Sequence, residues 1–121
     1  HKTYQEDYME PLIKNIEHAA ALELAQKVDY DSCKVVSLTL AQQPGAGITL
    51  FAFDEGEGVS THAAPGDAMA FIIEGEALIT IDGVEHHVKS GQAIVMPAGI
   101  PHAVKAKTKF KMMLTVVKQI D

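Results

Sequence analysis

Four glycines at a constant spacing of eight, Gly75, Gly83, Gly91 and Gly99, restrict this chain more than any other feature of its sequence. Each stands between two short β-prone runs, where a turn needing positive φ has to be placed and where glycine carries no Cβ penalty. The runs around them are Ala70 to Ile73, Ala77 to Ile81, Val84 to Val88, Ala93 to Met96, His102 to Ala106 and Phe110 to Val117. Asp82-Gly83 between two such runs is a strong hairpin signal. The residues between the glycines do not repeat, which argues against a solenoid. Short strands punctuated at this interval make an antiparallel sandwich or barrel, read here as a meander.

Two further runs precede them. Val35 to Leu40 is closed by Gln42-Gln43-Pro44-Gly45, and Ile48 to Phe53 ends at Asp54-Glu55-Gly56-Glu57-Gly58. Before Ser32 the character differs. Residues 1–10 are polar and expected to be loosely held, and Ala19 to Lys27 has the composition of a short helix of about two turns. The expected organisation is an N-terminal extension over residues 1–31 with that helix, followed by one all-β barrel over residues 32–121. A chain of 121 residues with 47% apolar and 21% charged residues suits a single packed domain.

The net charge of −6 argues against nucleic acid, since phosphate binding needs clustered Lys and Arg. Lys105, Lys107, Lys109 and Lys111 alternate and read as a solvated strand face. The single cysteine, Cys33, offers no internal disulfide and reads as a small strand residue. No apolar run reaches membrane-spanning length and no leader pattern opens the chain, so a soluble, cytoplasmic protein is expected, without a membrane partner.

Two segments carry a family pattern. The second half contains Gly91, Pro97, Gly99 and His102 in the segment GQAIVMPAGIPHAVKA. The earlier half contains Gly56, His62 after five intervening residues, and Gly75. This arrangement resembles the two sequence motifs of the cupin family. The second motif keeps every spacing, with Ala106 where Asn is usual. The first keeps Gly56, His62 and Gly75 but has Ala64 at its second His position and Ala68 at its Glu position. The resemblance spans Ile48 to Val117. It implies a double-stranded β-helix, or jelly roll, with a pocket inside the barrel. In metal-binding cupins three His and one Glu line that pocket; this chain supplies His62 and His102.

Three readings of the pair stand side by side. In one, His62 and His102 hold a divalent transition metal (Zn, Fe, Ni, Mn or Cu), with Asp67 or water completing the shell. Asp67 lies one residue before the vacated Glu position, so a regular strand aims it at the opposite face unless a bulge at Pro65-Gly66 turns it. An alternative register takes His62 as the motif's second His and Asp67 as its acid, but misses Gly75 by one residue and leaves Ser60 as first ligand. In the second reading the imidazoles are metal-free hydrogen-bonding groups in an apolar cavity. In the third they are structural. His86 is expected half-buried near the pocket wall and His87 exposed, on divergent faces. Met69, Met96, Met112 and Met113 read as core filler rather than copper ligands. Phosphate loops, cysteine pairs and a nucleophile elbow are absent from the sequence.

The functional expectation is a small-molecule or weak-metal binding module with an unknown ligand. A metal-dependent enzyme of oxygenase or isomerase type and a sensor or association domain are the alternatives. A homodimer is expected, because an open sheet edge invites a second copy, and the strand from Lys34 to Leu40 is the candidate edge.

Overall fold

In the computed structural model, residues 10–121 are described. Nine strands follow one 3₁₀ turn at Leu24–Gln26. They are β1 (Val35–Gln43), β2 (Ala46–Phe53), β3 (Gly58–His62), β4 (Asp67–Glu74), β5 (Glu76–Ile81), β6 (Val84–Lys89), β7 (Ala93–Met96), β8 (His102–Lys105) and β9 (Phe110–Val117). Two antiparallel sheets face each other, ordered β1-β2-β9-β4-β7 and β3-β8-β5-β6.

Consecutive strands pair only at β1-β2 and β5-β6, so the chain does not run as a meander. From β2 onward it passes back and forth between the sheets, and distant strands become neighbours. That is the jelly-roll arrangement. The four evenly spaced glycines all have positive φ, between +75° and +86°. Asp82 (φ 50°) and Gly83 (φ 81°) form the two-residue turn of the β5-β6 hairpin, with Ile81 opposite Val84. Gly75 is the most demanding of the four, because a Cβ there would lie 2.5 Å from the Lys109 carbonyl oxygen.

The inner faces meet over Phe53, Ile72, Ile79 and Phe110, all fully buried, with the Phe53 and Phe110 rings stacked at 4.7 Å. A second apolar cluster lies outside the five-stranded sheet. There Leu40, Leu50 and Ala52 are covered by Ile16, Leu24, Val28 and Tyr30 of the N-terminal segment.

The Ala19–Lys27 helix reduces to the 3₁₀ turn, because so short a segment gains more by packing Leu24 and Val28 on the sheet than by closing its own backbone bonds. Lys111, grouped by alternation with a solvated face, is buried. Its Nζ donates to the Ala25 carbonyl, and with Lys109 it sits 4.8 Å from the Tyr30 ring. Tyr30 donates its hydroxyl to Glu74 at 2.6 Å. Burial, then this bond and the Glu74 charge, raise the Tyr30 pKa above its ordinary 10.0.

Strand β1 is the edge of its sheet, as its position ahead of the motifs suggests. Part of that edge is already taken, since Lys14 N–H donates to the Leu40 carbonyl and the Asn15 amide to the Thr39 carbonyl. Cys33 is exposed, outside the strand, at positive φ in the turn before β1. The expectation of a loosely held segment falls mostly on residues 1–9, outside the described ones.

Candidate functional site

His62 ends β3 and His102 begins β8, and the two are directly opposite in the antiparallel pairing. A β-bulge puts them on one face. Val59 is opposite Val104 and His62 opposite His102, so Ser60 and Thr61 together face Ala103 alone. Strict alternation would have sent His62 outward from the inward Val59; the extra residue returns it to the interior. The rings meet edge to face with centroids 4.4 Å apart. His102 is buried at 5% exposure, whereas His62 stands at the rim.

Each ring is held the same way. Nδ1 of His62 donates to the Ser60 carbonyl at 3.0 Å, and Nδ1 of His102 donates to the Ile100 carbonyl at 3.1 Å. A carbonyl only accepts, so both protons sit on Nδ1. In the neutral imidazoles each Nε2 is left with its lone pair.

The pair looks onto a cavity of about 280 Å³ between the sheets. Its other walls are apolar. Phe51 and Phe53 come from β2, Met112, Leu114 and Val116 from β9, and Met96 from the end of β7. Ala64 and Ala68 line the same cavity. The two positions where the motif would carry a His and a Glu therefore face the two histidines, with methyl groups in place of ligands.

Asp67 is not brought to this site. β4 pairs regularly with β9 at this end, Asp67 opposite Val117, and alternation turns Ala68 inward and Asp67 outward. The bulge that would re-aim it at Pro65-Gly66 lies instead in β3. The Asp67 carboxylate accepts the Ala98 N–H at 2.8 Å, while the Ala64 carbonyl accepts the Gly99 N–H at 2.8 Å. The two bonds tie the loop from Pro97 to Pro101, which leads into His102, to the start of β4 and to the β3–β4 connection. Asp67 is thus a loop clamp. His86 is half-buried on β6, away from the cavity wall, and His87 is exposed with Nδ1 3.0 Å from Glu76.

Residues 49–118 match the family model for the cupin domain. The chain is a cupin. A conserved protein of unknown function from Streptococcus pyogenes is 47% identical, with 93% of this cupin and 98% of that chain covered and a TM-score of 0.89. A cupin superfamily protein from Desulfitobacterium hafniense is 33% identical, with 88% and 98% covered and a TM-score of 0.84. Salicylate 1,2-dioxygenase from Pseudoaminobacter salicylatoxidans is 16% identical over 69% of this cupin and 26% of that chain, with a TM-score of 0.64, a likeness of fold alone. None of the curated proteins matches the chain.

The donor set of this cupin does not fit the metal of the metal-binding family members. Among the described residues, His, Cys, Asp and Glu nowhere gather in a group of three or more. Two imidazoles fall short of the three protein ligands usual at a catalytic zinc. Among the described residues no helix is long and apolar enough to cross a membrane.

Proposed function

We propose that this cupin is a binding module that holds a small molecule in its barrel without a resident metal. The observation that carries the proposal is the joint placement of His62, His102, Ala64 and Ala68 on one cavity. The vacated ligand positions enlarge an apolar chamber and leave two anchored imidazoles as its polar handle. A concave apolar pocket with a few convergent polar groups is the general character of a ligand site.

The decisive test measures metal and cavity access together. Elemental analysis of the purified protein, before and after incubation with micromolar Zn²⁺ or Ni²⁺, is expected to show less than stoichiometric metal. Methyl NMR of Met96 and Met112 is expected to shift on titration with benzene, toluene or indole. One metal per chain, lost in a His62→Ala, His102→Ala variant, would overturn the metal-free reading. It would favour the alternative of a metal-dependent cupin enzyme instead.

A further inference from the structure

The cavity presents acceptors to an occupant and withholds side-chain donors. Both Nδ1–H groups are spent on the Ser60 and Ile100 carbonyls, so the neutral pair offers two Nε2 lone pairs. Among the described residues, no other side chain on the cavity wall carries nitrogen or oxygen.

Resting on the binding reading above, we infer that the barrel takes a neutral, compact, mainly apolar molecule bearing a hydroxyl or N–H donor, with that donor at the His62–His102 pair. A carboxylate is acceptor-only, so it would meet two lone pairs and exchange its hydration for nothing. The net charge of −6 disfavours an anion further. An ammonium group would find acceptors but no carboxylate to neutralise it in the cavity. Size sets another bound. A cavity of about 150 Å³ holds benzene, so 280 Å³ holds on the order of ten non-hydrogen atoms, a single substituted ring.

Three probes of nearly equal shape separate the possibilities: 4-ethylphenol, 4-ethylanisole and 4-ethylbenzoate. They are titrated at about pH 8, with the Met96 and Met112 methyl resonances as readout. The phenol is expected to bind about tenfold tighter than the anisole, the size of one hydrogen bond to a buried acceptor. The benzoate is expected to leave the methyls unmoved at millimolar concentration. In His62→Leu, His102→Leu the preference for phenol over anisole should vanish. If that pair does not fold, His62→Leu alone, at the exposed rim, should narrow the preference. Anisole binding as tightly as phenol, or benzoate binding more tightly than either, overturns the ligand class. So does a shift with toluene but with none of the three probes, and that result leaves the binding reading standing. If no apolar probe enters and one metal per chain binds at the histidines, the binding reading falls as well.

Discussion

Restoring the family's ligands at Ala64 and Ala68 tests the site geometry most severely. The variant is Ala64→His, Ala68→Glu. Ala68 is only 6% exposed and faces an apolar chamber of about 280 Å³, so the new side chains have room but no polar surroundings. A carboxylate placed there without a metal is an uncompensated buried group. The metal-free variant should lose about 2–4 kcal/mol relative to the native protein, part of the cost being avoided by protonation. Zinc changes the balance, because four donors then converge where two did. At a hundredfold excess over its dissociation constant, zinc returns about 2.7 kcal/mol. With a urea m-value of about 1–3 kcal/mol/M, the unfolding midpoint should rise by roughly 1–3 M on adding zinc. Urea unfolding with and without zinc, paired with elemental analysis, reads both effects. A folded variant that holds no zinc would show that the two alanines do not look at the histidines, and would refute the geometry on which the binding proposal rests.

Other expectations follow from single contacts. Gly75→Ala combines positive φ with a Cβ 2.5 Å from the Lys109 carbonyl oxygen, whereas Gly83→Ala has the φ penalty and nothing within 4 Å. The first should cost about 2–5 kcal/mol and the second about 1–2 in urea unfolding; equal costs would discount the close approach. Asp67→Ala should lower stability by about 1 kcal/mol by releasing the Ala98 amide, with metal content unchanged, and a change in metal content would restore Asp67 to the site. The raised Tyr30 pKa favours the neutral phenol in the folded state, so its stabilisation is present below about pH 10 and lost as pH rises beyond. Native stability should therefore fall more steeply above pH 10 than that of Tyr30→Phe, and parallel profiles would refute the coupling. A second copy pairing along the part of β1 that Lys14 and Asn15 do not meet predicts a particle of twice 13.0 kDa by light scattering; a 13.0 kDa particle refutes the dimer.

Much of the fold was legible in local sequence. The positive-φ turns at Gly75, Gly83, Gly91 and Gly99 and the Asp82-Gly83 hairpin depend on one or two residues each, and the conformational cost of any other residue announces them. The apolar runs located eight of the nine strands. β3 carries no such signal, because all five of its residues are exposed and its burial does not alternate along the strand. His62, His102, Ala64 and Ala68 could be placed relative to one another only through the motif spacing.

Tertiary structure decided the rest. Whether a strand residue faces the cavity depends on pairing with distant strands. The register of β3 against β8 inserts one extra residue and turns His62 inward. The regular register of β4 against β9 turns Asp67 outward, where it closes a loop instead of a coordination shell. Side chains alternate with period two, so one inserted residue exchanges inside for outside. The sequence by itself determined the barrel and its turns; non-local pairing decided which of its polar groups share a cavity, and that among the described residues two imidazoles do so without a third ligand.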